Sequence, residues 1–171
     1  DDETLLSGCM DIAQKYEEML SDSIPDSDTL VHGDLHPGNI MLQDGELLLI
    51  DLPGASIGSK AWDLVALFSD LIIGPRQIPT VIEKSTGIPA DLAVQIGRDF
   101  FRRYFELEDD AALQQIIGMM MPLFALNTVL TFGNPESPSR FLSGEIVQKM
   151  LREAIEPNEA AILDALQELS Q

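Results

Sequence analysis

An Asp-Gly pair, Asp44-Gly45, separates two apolar runs, Ile40-Met41-Leu42 and Leu47-Leu48-Leu49-Ile50. That pattern predicts a tight β-hairpin, because a two-residue reversal needs residues that accept positive φ. Upstream lies Val31-His32-Gly33-Asp34-Leu35-His36-Pro37-Gly38-Asn39, a stretch that Gly33, Pro37 and Gly38 keep from becoming helix. Downstream, Asp51 ends the second apolar run. Folding the hairpin back returns Asp51 to the neighbourhood of Asp34 and Asn39. Three oxygen-bearing side chains are therefore predicted to converge on one site.

The spacing is that of a kinase catalytic loop, His-x-Asp-x-x-x-x-Asn, followed by a metal-binding Asp. With glycine in second place, His32 to Asn39 resembles the aminoglycoside phosphotransferase and choline kinase-like families, which share the protein-kinase-like fold. The resemblance continues through Ile50-Asp51 and into Gly58-Ser59-Lys60-Ala61-Trp62-Asp63-Leu64-Val65. The helices around these stretches fit the family only in kind. Leu52-Pro53-Gly54 departs from it, standing where protein kinases have Phe-Gly.

The resemblance implies a role for each residue. Asp34 accepts or orients the proton of a substrate hydroxyl that attacks the γ-phosphorus of ATP (or GTP). Asn39 and Asp51 hold Mg2+, a hard cation that prefers oxygen and uses few protein groups beside phosphate oxygens. The competing reading makes Asp34 and Asn39 mere loop formers, as Asp, Asn and Gly often are. The matched loop, the hairpin and a second Asp beyond it favour the kinase-like reading. His32 reads as a brace for the loop through a ring hydrogen bond rather than as a titrating catalyst. His36 has two readings, an approach to phosphate or plain exposure on the loop. Asp63 resembles the family's helix-start aspartate that hydrogen-bonds the catalytic-loop backbone; its other reading is an acid favoured by the helix macrodipole. No second histidine-cysteine cluster exists, which argues against zinc.

A chain of 171 residues with 45% hydrophobic content buries one sizeable core, so residues 1–171 are predicted to form a single domain. Ten Lys and Arg against 29 Asp and Glu give a net charge of −19, which excludes non-specific nucleic-acid or anionic-membrane binding. The charge suits a cationic acceptor such as an aminoglycoside or choline-like amine, and equally an ordinary acidic soluble surface. A lone cysteine, Cys9, makes no internal disulfide. Asp1-Asp2-Glu3 has the wrong charge for a signal peptide, and no initiator methionine is present. The expectation is a cytoplasmic protein whose chain here is processed or truncated.

Leu5, Cys9, Ile12, Tyr16, Met19 and Leu20 predict one amphipathic helix ahead of the loop, ended by Ser21 to Thr29. A complete kinase of this type carries an upstream lobe with a phosphate-covering loop and a strand lysine. None of the four lysines, Lys15, Lys60, Lys84 and Lys149, sits in a strand-like context before Asp34. The chain thus reads as the C-terminal lobe alone, with the N-terminal lobe absent.

After Asp51, a helix is predicted over Ala61 to Ile73, stopped by Gly74-Pro75. A short helical piece spans Thr80 to Lys84, and another helix runs from Ala90 to Leu107. The latter carries Arg98, Arg102 and Arg103 on a solvated face balancing nearby acids. Ile116 to Phe132 is uncharged, but Pro122, Asn127 and Thr128 interrupt it, so a buried core helix kinked at Pro122 is predicted instead of a membrane span. Gly133 to Arg140 reads as a loop, and two amphipathic helices close the chain.

The expected fold is mainly α (α+β): six or seven helices around one small β-hairpin, as the resemblance implies for the helical C-terminal lobe of a kinase. The expected activity is phosphoryl transfer from a nucleotide to a small hydroxyl-bearing, cationic substrate. Two rivals remain, a pseudokinase-type binding domain without turnover and a pure interaction lobe. Either the missing N-terminal lobe or a second copy is expected to cover the face that this lobe exposes.

Overall fold

The computed structural model of the protein describes residues 29–132 and 143–170. The predicted N-terminal amphipathic helix, Cys9 and the Gly133 to Arg140 loop lie outside the described residues. Among the described residues the chain is mainly helical, with two small two-stranded sheets. It divides into two compact units at Gly118 and Met119, and each is described by itself.

The first unit holds the hairpin. Strands β2 (Ile40–Gln43) and β3 (Glu46–Leu49) pair antiparallel with Gln43 opposite Glu46. Asp44 and Gly45 both take positive φ, 53° and 86°, the backbone of a two-residue turn whose twist matches its strands. A second ribbon joins β1 (Leu30–Val31) to β4 (Ser56–Ile57), pairing Leu30 with Ile57 and Val31 with Ser56. This ribbon clasps the ends of the segment that contains both the polar loop and the hairpin. A short 3-10 turn, Pro37–Asn39, leads into β2.

Helix α1 (Ala61–Phe68) begins where Ser59, itself buried, accepts a hydrogen bond from the Ala61 amide through Oγ. The predicted stop at Gly74-Pro75 does not occur. A π-helical turn, Ser69–Ile73, follows α1 and passes directly into α2 (Gly74–Gln77). The Gly74 amide bonds back to the Ser69 carbonyl, five residues away, and Pro75 then sits in the first turn of α2. Pro75, which has no N–H to donate, thus follows the wide turn without ending the helix. Helix α3 (Pro79–Thr86) ends at Gly87 in the left-handed conformation and packs against the Pro37–Asn39 turn.

Helix α4 (Ala90–Tyr104) crosses the π-helical turn at Gly97. A Cβ at Gly97 would lie 2.8 Å from both the Leu71 Cβ and the Ile72 Cδ1, so only glycine permits this approach. Around the crossing lie Leu64, Phe68, Ile72 and Phe101, all buried, with the Phe68 and Phe101 rings edge-to-face at 6.1 Å. The solvated arginine face of α4 is partly occupied, since Arg98 and Arg102 both bind the Asp110 carboxylate. Those two guanidinium groups hold the Asp110 carboxyl below the usual carboxylate range.

Helix α5 (Asp110–Phe132) starts six residues before the predicted uncharged stretch. Asp109 explains the early start: its Oδ1 accepts the Ala112 amide at 2.8 Å, an N-terminal cap. The helix runs on through Pro122 and is long and apolar enough to cross a membrane by length and composition. Met120, Leu123, Ala125, Leu126 and Val129 are buried along it, but most of the apolar stretch is not, so the expected buried core helix is borne out only in part. In the second unit α6 (Gly144–Met150) passes into a second π-helical turn, Leu151–Ile155, and α7 (Glu159–Ser170) closes the chain. Val147, Leu151, Ile155, Ile162 and Leu166 form its buried stripe.

Candidate active site

The loop from His32 to Asn39 belongs to neither helix nor strand until Pro37, so its backbone polar groups need partners from elsewhere. Side chains supply them. Asp63, one turn into α1, accepts the His32 amide through Oδ2 at 2.7 Å and the Gly33 amide through Oδ1 at 3.0 Å. The His32 ring is buried and donates from Nε2 to the Ile50 carbonyl at 2.8 Å, which ties the start of the loop to the end of β3. A carbonyl only accepts, so Nε2 carries the ring proton and Nδ1 is left bare, buried and without a partner.

Asn39 closes the other end. Its Nδ2 donates to the Asp34 carbonyl at 2.9 Å, and its own carbonyl accepts the Ile50 amide at 3.0 Å. The side chain is buried, yet its Oδ1 accepts no hydrogen bond among the described residues. Asn39 is thereby bonded to Asp34 on one side and to the neighbour of Asp51 on the other. Asp51 itself takes φ +59°, a left-handed conformation that L-residues other than Asn and Asp adopt at a cost. Its exposed side chain has no hydrogen-bond partner among the described residues.

The Leu52-Pro53-Gly54 departure also has a place in the geometry. Gly33 takes φ +80°, and a Cβ there would meet the Gly54 carbonyl oxygen at 2.4 Å. The turn after Asp51, closed by the Ala55 amide on the Leu52 carbonyl, thus lies directly against the start of the loop. The clearance is needed at Gly33, since a Cβ at Gly54 would make only an ordinary contact, 3.4 Å from the His32 carbonyl oxygen.

Asp34 is open to solvent, its side chain 70% exposed, and the His36 ring lies beside it, with Nε2 3.8 Å from Oδ2. The His36 ring folds back on its own turn, where Nδ1 accepts the Gly38 amide at 3.1 Å and caps the 3-10 turn. One further acid belongs to this cluster. Asp70, on the π-helical turn, is half-buried; burial pushes its carboxyl up, the Asp34 charge adds to that, and His36 opposes it. Sequence reasoning missed Asp70. The available signal was an acid inside an otherwise apolar helix, between Phe68 and Leu71.

A model of the phosphotransferase enzyme family (APH) matches residues 8–94, just over half of the chain. The chain belongs to that family. No curated protein and no solved structure matches it. The span matched by the family includes Asp34, Asn39, Asp51, Asp63 and Asp70, and it ends inside α4. Membership makes phosphoryl transfer the parent chemistry.

For a phosphotransferase the donor set is informative. Among the described residues no group of three or more His, Cys, Asp or Glu is arranged to hold a metal. Asn39 Oδ1 and the Asp51 carboxylate offer hard oxygen donors not already hydrogen-bonded, which fits Mg2+, an ion commonly held by one or two protein groups plus substrate phosphates.

Proposed function

We propose that this chain is the catalytic-loop lobe of an ATP-dependent small-molecule kinase, acting on a hydroxyl of a cationic acceptor. Asp34 is the base: its carboxylate takes the proton as the acceptor oxygen bonds to the γ-phosphorus. The bond from that phosphorus to the β-γ bridging oxygen breaks, and ADP leaves. Asn39 and Asp51 are the Mg2+ ligands, and the ion supplies charge neutralisation of the phosphates. ATP is the donor in this reading, with GTP as the competing nucleotide, and the cytoplasm is the compartment that supplies it.

The observation that carries the proposal is the double use of Asn39. Its amide nitrogen fixes the Asp34 backbone, its carbonyl fixes the approach to Asp51, and its Oδ1 accepts nothing. The Asn39 nitrogen is committed to the loop while its Oδ1 stays open to a ligand, an arrangement that loop formation alone does not require. The acceptor class rests on the net charge of −19 together with Asp34 and Asp70 on one side of the loop.

An upstream lobe is part of the proposal. The cross-strand pair Leu42 and Leu47 is 72% and 73% exposed, and the pair Leu30 and Ile57 is 71% and 64% exposed. Each ribbon thus presents a cross-strand pair of exposed apolar side chains, the kind of surface that a partner covers. Such a lobe would also bring the phosphate-pairing lysine. Without it, a polyanionic nucleotide meets a strongly acidic surface.

Steady-state kinetics on the full-length gene product test the assignment. Asp34→Asn should lower kcat by about 10²-fold or more while leaving the KM for ATP nearly unchanged, since the base acts only as the acceptor attacks. Near-normal kcat removes Asp34 from the reaction. Calorimetry with Mg-ATP tests the missing lobe: the 171-residue chain alone should bind weakly. Micromolar or tighter binding at one site per chain contradicts it.

A further inference from the structure

The geometry points to His36 as a positioning residue for Asp34, with its neutral ring presenting the Nε2–H to the carboxylate that takes the acceptor proton. The inference rests on the kinase reading of Asp34 and adds to it a residue whose role the loop motif leaves open.

Two observations fix the ring. Nδ1 accepts the Gly38 amide at 3.1 Å, so that nitrogen carries no proton and the neutral ring holds its single hydrogen on Nε2. The ring is also pressed onto the Gly38 backbone, where an added Cβ would lie 2.8 Å from Cε1 and 2.9 Å from Nδ1. Glycine at 38 is what lets the ring close down onto the turn. The remaining N–H is therefore directed by the turn rather than chosen by the solvent.

Nε2 lies 3.8 Å from Asp34 Oδ2. The gap exceeds a hydrogen bond by about 1 Å, a distance that rotation of the exposed Asp34 side chain covers. Catalytic hydrogen bonds are commonly long before substrate is bound and tighten afterwards. Closing this one occupies Oδ2 and leaves Oδ1 to face the incoming hydroxyl. Without it, a 70% exposed carboxylate at the tip of a loop samples several rotamers, few of them productive.

Asp70 stands close enough to feel both the His36 ring and the Asp34 carboxylate. It arrives there from the π-helical turn Ser69–Ile73, a wide turn of a type that is frequent at functional sites.

Two substitutions divide the ring's functions. In His36→Asn, the side-chain oxygen falls where Nδ1 was and keeps the cap on Gly38, but nothing reaches Asp34. In His36→Gln, the terminal amide nitrogen falls where Nε2 was and keeps a donor for Asp34, while the cap is lost. The assay is inorganic phosphate release from Mg-ATP, with water as acceptor, by the full-length gene product. Thermal melts alongside confirm that each variant folds. His36→Asn should lose about tenfold in kcat with the KM for ATP within about twofold of wild type, and His36→Gln should stay within about threefold in kcat. A purely capping role predicts the reverse order, with His36→Gln impaired and His36→Asn normal, and overturns the inference. So does an equal loss in both variants, or no loss in either. A wild-type protein that releases no phosphate is a different failure, since it removes the kinase reading on which the inference stands.

Discussion

Replacing Asp63 by alanine removes both acceptors that hold the start of the loop. The His32 amide is part-buried and 2.7 Å from Oδ2, a charge-assisted bond of about 1.5–3 kcal/mol. The Gly33 amide is exposed, so water replaces most of its 3.0 Å bond to Oδ1, leaving about 0.5 kcal/mol there. The sum is about 2–3.5 kcal/mol. Loss of a first-turn acid's macrodipole interaction alone is worth only about 0.3–1 kcal/mol. At about 2–4 °C per kcal/mol for a chain of this size, Asp63→Ala should lower Tm by about 4–14 °C, against at most about 4 °C for the dipole. Asp63→Asn keeps one oxygen for the His32 amide and turns a donor toward Gly33, so its loss should be intermediate. Differential scanning calorimetry at neutral pH reads all three proteins. A Tm for Asp63→Ala within about 2 °C of wild type would refute the brace, leaving the dipole as the sole role.

Gly33→Ala should cost about 2 kcal/mol or more in a chemical melt, because it combines a left-handed φ of +80° with a Cβ 2.4 Å from the Gly54 oxygen; an unchanged midpoint would mean the two backbones separate freely. Asp70→Asn should raise Tm at pH 7. A carboxyl whose folded pKa is raised costs stability once pH passes its ordinary value of 3.8, and the cost is complete above the folded value. The gain should therefore shrink as pH falls toward 4, and a gain independent of pH would contradict it. The pair Leu42→Glu with Leu47→Glu should leave Tm within about 2 °C, both side chains being exposed, while abolishing any self-association of this chain in size-exclusion chromatography; retained association would place the contact elsewhere.

What the sequence made legible was local. The hairpin follows from Asp44-Gly45 because positive φ at consecutive residues is a property of the residues themselves. The loop's spacing was equally readable, since Gly33, Pro37 and Gly38 exclude helix without help from tertiary contacts. The β1–β4 ribbon was not legible, because two-residue strands carry no periodicity. The π-helical turn was also hidden. Its defining bond, Gly74 to Ser69, leaves the residue pattern of an ordinary helix, and Pro75 then suggests a stop that the wider turn makes unnecessary. Asp63 gave two readings for the same reason, its partners lying 31 and 30 residues upstream.

A finer division within the motif follows from counting commitments. His32, Asp63 and the Asn39 nitrogen each satisfy loop backbone, and His36 caps its own turn. Asp34 and Asp51 satisfy none, although both belong to the same loop system. Side chains that hold backbone cannot change partner during a reaction without loosening the loop, whereas uncommitted ones can. Stability and activity should therefore separate by residue. Asp34→Asn and Asp51→Asn should keep Tm within about 2 °C, because exposed, unpaired acids contribute little, and asparagine tolerates the left-handed backbone at 51. Both should lose turnover. His32→Ala should do the opposite in its first effect, losing about 2–4 kcal/mol through the cavity and the orphaned Ile50 carbonyl, with activity falling only as the loop disorders. Melts and phosphate-release assays on the same preparations decide it. A large Tm loss in Asp34→Asn would mean that this carboxylate holds structure, and the separation of holders from actors would fail at its central residue.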